Sequence, residues 1–118
     1  MRDHTKLKAY DLADDLALMI YRITMKFPKE EIYGLTAQMR RAAISVPSNI
    51  IEGTEIVEGC ARSTQVEYHR FLEIAYGSLK ELDYQFGLSC RLRYISDEFK
   101  ITDCKLKAEN QVLLFMVI

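Results

Sequence analysis

The sequence predicts an all-α fold, an antiparallel up-down-up-down four-helix bundle that forms one domain over residues 1–118. Three segments repeat apolar residues at alternating intervals of three and four, the spacing of a helix stripe that faces partner helices. Short turns join most of these segments, which is typical of antiparallel neighbours. A chain of this length is expected to bury one core without disulfides or a metal.

The first helix is predicted from about Leu7 to Lys26. Its apolar seam consists of Ala9, Ala13, Leu16, Ile20, Ile23 and Phe27. The helix should end before Pro28, because a residue that precedes proline is pushed out of helical geometry.

The second helix should follow a short turn at residues 28–34. Its apolar stripe consists of Ile32, Leu35, Met39, Ala42 and Val46, and the next position of the stripe is Asn49. Pro47 is expected to kink this helix, because proline lacks a backbone donor and clashes with the preceding turn. Gly53 is expected to close it as a left-handed C-terminal cap, with residues 54–63 forming an acidic connection.

The third helix is predicted to begin at a capping box, residues 64–67. Its seam consists of Tyr68, Leu72, Ala75, Leu79, Leu82 and Phe86. Gly77 inside this helix costs about 1 kcal/mol relative to alanine, which favours a close helix crossing there.

A fourth helix, capped by Ser96 or Asp97, has the weakest pattern in the chain. It ends in seven apolar residues, 112–118. Such a run is expected to be buried in the monomer's own core or at an oligomer contact, because exposed apolar patches mark interfaces. Truncation of a longer chain is a third explanation that the sequence leaves open.

Composition limits the classes of function. Hydrophobic residues make up 49% and charged residues 28% of the chain, as in soluble globular proteins. Sixteen basic residues against seventeen acidic ones exclude binding of nucleic acid by bulk charge, so such a contact must be local. Three cysteines without metal-ligand spacing or a secretory signal predict reduced thiols in the cytoplasm. The longest apolar run is too short to cross a membrane.

A polar stripe on the second helix is the main candidate for a functional surface. It consists of Arg41, Ser45, Ser48 and Glu52, with Arg40 beside it. Adjacent helical residues project about 100° apart, so one arginine can pair internally while the other stays available to phosphate or a carboxylate. Solvation of this stripe without a function is an equally good explanation.

Two sets of residues follow as predictions. The candidate contacts to nucleic acid or a partner are Arg40, Arg41, Arg62 and Arg70. The candidate structural polar cluster consists of Ser45, Ser48, Asn49, Glu52 and Glu67, and an ion pair between Glu52 and Arg70 is expected from antiparallel helices. Binding through the arginines should be lost when Arg40 and Arg41 are changed to glutamine.

No enzymatic signature was found in the sequence. It has no Gly-rich phosphate loop, nucleophile elbow or cysteine-based metal signature. Val66 stands where a carboxylate di-iron site would need glutamate three residues before His69. His69 and Glu73 are therefore interpreted as a surface pair one turn apart. We predict no enzyme activity, no cofactor, no metal and no small-molecule substrate.

Two long motifs carry a family resemblance. They are Phe27-Pro28-x-x-Glu31-x-Tyr33-Gly34-Leu35-Thr36-x-Gln38-x-Arg40-Arg41, continuing to Glu52-Gly53, and Glu67-x-x-Arg70-Phe71-Leu72, continuing to Leu82. The chain thereby resembles the four-helix bundle proteins encoded in intervening sequences of bacterial 23S ribosomal RNA genes, also labelled the S23 ribosomal protein family. Members are similar to accessory proteins of diversity-generating retroelements, which form pentameric rings and bind a reverse transcriptase and nucleic acid. The resemblance thus implies a homo-oligomer, with a pentamer favoured.

Two functional hypotheses remain open from the sequence. One is an adaptor associated with RNA or a nucleoprotein, acting through clustered basic residues that a ring of subunits would repeat. The alternative is a scaffold that recognises a protein partner without nucleic acid. Bound nucleic acid in the purified protein would favour the first, and salt-insensitive capture of a partner would favour the second.

Overall fold

The structure is a computed structural model that describes residues 4–58 and 64–96, together with residues 105, 107, 109, 110 and 112. The described elements are α1 (His4–Thr24), α2 (Leu35–Glu58) and α3 (Thr64–Arg91), with a short 3-10 helix at Lys29–Glu31 before α2. Residues 105, 107, 109, 110 and 112 are also helical, and no strand occurs in these described parts of the chain. The predicted all-α class is therefore confirmed.

Helices α2 and α3 run antiparallel. Ser89 Oγ donates to Met39 Sδ at 3.3 Å, and Ser78 Oγ donates to Ser45 Oγ at 2.7 Å. Residues later in α2 therefore contact residues earlier in α3, as antiparallel helices require. Helix α2 also packs against α1, which makes it the central helix of the three.

The apolar seams predicted for α1 and α3 form most of the core. The buried apolar residues are Ala9, Ala13, Leu16 and Ile20 of α1, Met39, Ala42, Ala43, Val46 and Ile50 of α2, and Leu72, Ala75, Leu79, Leu82 and Phe86 of α3, with Phe27, Ile95 and Val112. Two predicted seam residues, Ile23 and Tyr68, are only half-buried. Burial of each large apolar side chain contributes about 1.5–3 kcal/mol, so this cluster is the main stabilising feature of the fold.

The predicted stripe of α2 needs correction at both ends. Ile32 is exposed, because it lies in the turn before the helix begins. Asn49 is half-buried, and Ile50 takes the core position instead. A helix has 3.6 residues per turn, so a stripe read at strict intervals of three and four drifts off the buried face.

Gly53 does not cap α2, contrary to the prediction. The helix continues past both Pro47 and Gly53 to Glu58, and no described glycine has a positive φ angle. Gly53 is buried, and a Cβ atom built there would lie 2.9 Å from Tyr68 Cδ1 and 3.4 Å from Phe71 Cβ. Glycine is therefore needed because α3 approaches the backbone closely, and residues 54–58 extend the helix rather than the connection.

Gly77 lies in open space, contrary to the predicted close helix crossing. Nothing lies within 4 Å of a Cβ atom built at Gly77, and the residue is exposed. No close helix crossing therefore occurs at Gly77 in the part of the chain that the structure describes.

The described residues beyond 96 lie alongside α3. Lys105 Nζ contacts Asp83 Oδ1, and Lys80 Nζ lies 3.8 Å from Glu109 Oε2. Later residues of this segment therefore contact earlier residues of α3, so the two run antiparallel. Val112 is buried in the core. The predicted cap residue Asp97 and the rest of the apolar run fall outside the described residues.

Helix α1 ends at Thr24, two residues before the predicted end. Thr24 Oγ1 donates to the Ile20 carbonyl oxygen at 2.7 Å, and the backbone amides of Lys26 and Phe27 form shorter-range turn bonds. Helix α3 begins at Thr64, as predicted, but the side chain of Thr64 in the capping box is outside the described residues. None of the described helices is long and apolar enough to span a membrane.

Candidate nucleic-acid interface

Basic residues gather at one end of the molecule. The antiparallel order brings together the last turns of α1, the connection at residues 25–34, the first turns of α2 and the end of α3. We call residues 22–41 and 91–96 the basic end. It carries seven cations, Arg22, Lys26, Lys29, Arg40, Arg41, Arg91 and Arg93, against only Glu30 and Glu31.

Acidic residues gather at the opposite end, which we define as residues 4–15, 48–58 and 64–75. Its described side chains include Asp11, Asp14, Asp15, Glu52, Glu67 and Glu73, against Lys8 and Arg70. A helix rises 1.5 Å per residue, so the two ends lie about 30 Å apart along a molecule 47 Å long. Among the described residues, a chain with a formal net charge of −1 therefore has a strongly positive end.

Most cations of the basic end are exposed to solvent. Six of the seven are exposed, and Arg40 is half-buried. None of the seven forms an ion pair with a carboxylate in the described part of the chain, where the ion pairs are His69–Glu73, Lys80–Glu109 and Lys105–Asp83. Clustered cations without carboxylate partners are the electrostatic footprint of a phosphate-binding surface.

Arg40 is the arginine that pairs internally. Its Nε donates to Thr24 Oγ1 at 2.8 Å, its Nη2 donates to the Tyr21 carbonyl oxygen at 3.2 Å, and its guanidinium lies 4.7 Å from the centre of the Tyr21 ring. A cation at the last carbonyls of α1 also interacts favourably with the helix dipole. Arg40 therefore joins α2 to the end of α1, while the neighbouring Arg41 is exposed.

Of the other two predicted arginines, only Arg70 is described, and it does not join this site. Arg70 is exposed on α3 at the acidic end, far from Arg40 and Arg41. Arg62 lies outside the described residues. No ion pair between Glu52 and Arg70 occurs in the described structure, contrary to expectation; both residues are exposed.

Part of the predicted polar cluster forms a contact between helices. Asn49 Nδ2 donates to the Ser45 carbonyl oxygen at 2.7 Å and to Ser45 Oγ at 3.0 Å, and Ser45 Oγ accepts from Ser78 on α3. Ser48, Glu52 and Glu67 are exposed and lie outside this network. Ser78 was missed because it is one residue from Leu79 on the predicted seam, where a serine has no distinctive signal.

Glu31 holds the turn at the centre of the basic end. Its Oε1 accepts from the backbone amide of Leu35 at 3.2 Å, and its Oε2 accepts from the Tyr94 hydroxyl at 3.1 Å. A Cβ atom on Gly34 would lie 2.8 Å from Glu31 Oε1, so glycine lets the carboxylate reach the start of α2. Burial, and then the bond to Glu31, raise the pKa of Tyr94, so its hydroxyl remains a donor at neutral pH.

Arg93 occupies a strained backbone position after α3. The Tyr94 amide donates to the Ser89 carbonyl oxygen at 2.9 Å and the Arg93 amide to that of Cys90 at 3.0 Å. These bonds form a Schellman motif, in which Arg93, with a φ angle of 64°, takes the left-handed position that glycine usually fills. A residue other than glycine costs about 1–2 kcal/mol there.

Comparison with known families gives the identity of the chain at family level. Residues 5–113 match the model of the family described as 23S rRNA-intervening sequence protein. The chain belongs to this family. No curated protein matches the chain.

The described part of the chain does not bring together the groups that a metal site needs. Its described residues hold no cluster of three or more His, Cys, Asp or Glu side chains that could bind a metal ion. His69 Nδ1 lies 2.8 Å from Glu73 Oε1 on the exposed surface of α3, as expected for a pair one turn apart.

Most cations of the basic end were not predicted from the sequence as site residues. Arg22, Lys26 and Lys29 are far along the chain from Arg91 and Arg93, and none of the five is part of a motif. The available signal was their positions relative to the helix ends, because antiparallel packing brings the end of α1, the start of α2 and the end of α3 to one place.

The roles of the two adjacent arginines can be separated by stability. Changing Arg40 to alanine is expected to lower the free energy of unfolding by about 1–2 kcal/mol, because it removes hydrogen bonds to Thr24 and Tyr21. Changing Arg41 to alanine should alter it by less than about 0.5 kcal/mol. Urea denaturation of both variants measures the difference, and equal losses would contradict the assignment.

Proposed function

We propose that this chain is a non-enzymatic RNA-binding adaptor that contacts the phosphate backbone through its basic end. The observation that carries the proposal is the separation of charge along the bundle, which gives a near-neutral chain a local cationic surface. Phosphate contacts from lysine and arginine dominate the affinity of proteins for nucleic acid and do not require base recognition. The description of the family connects these proteins with 23S rRNA by name.

The strained backbone conformation of Arg93 also supports phosphate binding at the basic end. A residue held in an unfavourable backbone conformation is often kept for a function that glycine could not supply. Glycine would fit the backbone at this position better but would remove a cation from the basic end. Contact with a phosphate group would explain why arginine, and not glycine, occupies position 93.

The proposal includes a homo-oligomer, with the pentameric ring that the family resemblance implies as the favoured form. A ring would repeat the basic end in every subunit, so affinity would gain from multivalency. We also propose that the described residues 105, 107, 109, 110 and 112 belong to a fourth antiparallel helix, in line with the contacts of Lys105 and Glu109 along α3. An RNA ligand would place the protein in the cytoplasm. Light scattering coupled to size exclusion tests the oligomer, and a monomer at micromolar concentration would contradict it.

Fluorescence anisotropy with labelled single-stranded RNA tests the proposed function. Binding should be tolerant of sequence and should weaken steeply with salt, with a slope of about −0.7 per phosphate contact. Five contacts would give a slope of about −3.5. Absence of binding at low salt by the intact protein would refute the proposal.

Arg93 gives a test in which stability and binding move in opposite directions. Arg93→Gly should raise the free energy of unfolding by about 1 kcal/mol, because glycine adopts the left-handed conformation without strain. The same variant should bind RNA more weakly, because it lacks one cation. Arg93→Gln is the matched control, since it removes the charge but keeps the strain. If Arg93→Gly and Arg93→Gln had the same free energy of unfolding, the backbone at this position would not be strained. If both variants bound RNA as tightly as the wild type, Arg93 would not be part of the binding site.

A protein scaffold remains the second candidate function, because α1 and α2 expose large apolar side chains. These are Leu18, Tyr21 and Met25 on and just after α1, and Ile44 and Ile51 on α2. Met25 is 77% exposed. Capture of a protein partner that resists salt, without bound nucleic acid, would favour this alternative.

A further inference from the structure

Tyr33 stands out among the residues of the basic end because it is 96% exposed. It lies in the turn between the 3-10 helix and α2. Single exposed apolar residues are common on protein surfaces, so exposure alone carries no argument. Tyr33 is distinguished by the contacts that hold its turn in place and by the cations of the basic end around it.

The turn that presents Tyr33 is fixed on both sides. The Gly34 amide donates to the Glu31 carbonyl oxygen at 3.0 Å, and the Gln38 amide donates to the Gly34 carbonyl oxygen at 3.0 Å. The Glu31 carboxylate ties the start of α2 to Tyr94, whose ring lies 5.2 Å from that of Phe27. The backbone of Tyr33 is therefore preorganised, and ordering it on binding costs little conformational entropy.

An exposed aromatic ring surrounded by cations, as Tyr33 is, is suited to stacking on a nucleic-acid base. Proteins that bind single strands combine cations that follow the backbone with exposed aromatic rings on which bases stack. Lys29 and Arg41 flank the turn in sequence, and Arg93 precedes the residue that bonds to Glu31. An unpaired base offers a free face for stacking, whereas bases inside an RNA duplex are already stacked on each other.

We propose that Tyr33 stacks on an unpaired base, so that the RNA ligand is single-stranded where it crosses the basic end. This inference rests on the proposed function and specifies its substrate class. Cations of the basic end supply the phosphate contacts, and Tyr33 supplies the preference for a single strand over a duplex.

The test compares Tyr33→Ala with the wild type on two probes, a short single strand of adenosine nucleotides and a duplex RNA of the same length. Affinity for the single strand should fall on the order of tenfold, with the salt slope and the duplex affinity unchanged. Tyr33→Phe should retain binding, because the ring is kept. Tyr84→Ala is the matched control, since Tyr84 is also exposed but lies on α3 outside the basic end.

The outcomes separate this inference from the proposed function. Wild-type binding that Tyr33→Ala leaves unchanged, or weakens equally on both probes, would overturn the stacking inference and leave the RNA-binding proposal standing. Failure of the wild type to bind either probe would refute the proposed function itself. A change in the oligomeric state of Tyr33→Ala, measured by light scattering, would overturn the inference in favour of a protein contact.

Discussion

Changing Arg41 and Arg91 together to glutamine is expected to weaken RNA binding on the order of 50-fold at about 50 mM salt. Each phosphate contact to a single strand contributes a salt exponent of about 0.7, so losing two contacts should reduce the slope by about 1.4. Both arginines are exposed at the basic end, and neither forms an ion pair in the described structure. Anisotropy titrations over a range of salt concentrations measure the affinity and the slope together.

The matched control changes Lys8 and Arg70 to glutamine. This pair removes the same net charge from exposed positions on α1 and α3, but at the acidic end. Its affinity and slope should remain close to those of the wild type. Equal losses in the two double variants would show that binding depends on total charge. Arg40 is left unchanged in both, because its loss would also weaken the contact between α1 and α2.

Changing Gly53 to alanine is expected to destabilise the fold by about 2 kcal/mol, although alanine is the better helix former. The added Cβ atom would lie 2.9 Å from the ring of Tyr68, which is half-buried, and 3.4 Å from Phe71 Cβ. The Tyr68 ring must therefore shift, alone or together with the backbone of α3. Urea denaturation with helical circular dichroism measures the loss.

The control for Gly53 is the same substitution at Gly77. Nothing surrounds a Cβ atom at Gly77, so alanine should raise the free energy of unfolding by about 0.5–1 kcal/mol through helix propensity alone. The two Gly→Ala variants should thus shift the denaturation midpoint in opposite directions. Stabilisation by Gly53→Ala would contradict the close approach of α3 to α2.

The sequence was most informative where helix periodicity decides burial. The seam predicted for α3 contains Leu72, Ala75, Leu79, Leu82 and Phe86, and all five are buried. The two glycines were misassigned although the same periodicity separates them. Gly53 lies seven residues after Val46, on the buried face, whereas Gly77 lies two residues after Ala75, about 200° around the helix. The role of a glycine within a helix therefore depends first on the face of the helix that it occupies.

The candidate site was predicted less well, because it depends on which helix ends meet. The sequence predicted that one of two adjacent arginines would pair internally, and the structure assigns that role to Arg40. Only the position of α1 distinguishes Arg40 from Arg41. Arg70 was grouped with them by charge alone, and antiparallel packing places it at the other end. Arg93 gave no sequence signal, because its left-handed conformation is usually a property of glycine.

Lysine footprinting tests directly whether RNA binds at the basic end. The exposed lysines are acetylated with and without single-stranded RNA, and the modified positions are read by mass spectrometry. Lys26 and Lys29 at the basic end should lose reactivity when RNA is bound, while Lys8 at the acidic end should keep it. Protection of Lys8 with unchanged reactivity of Lys26 and Lys29 would contradict the account.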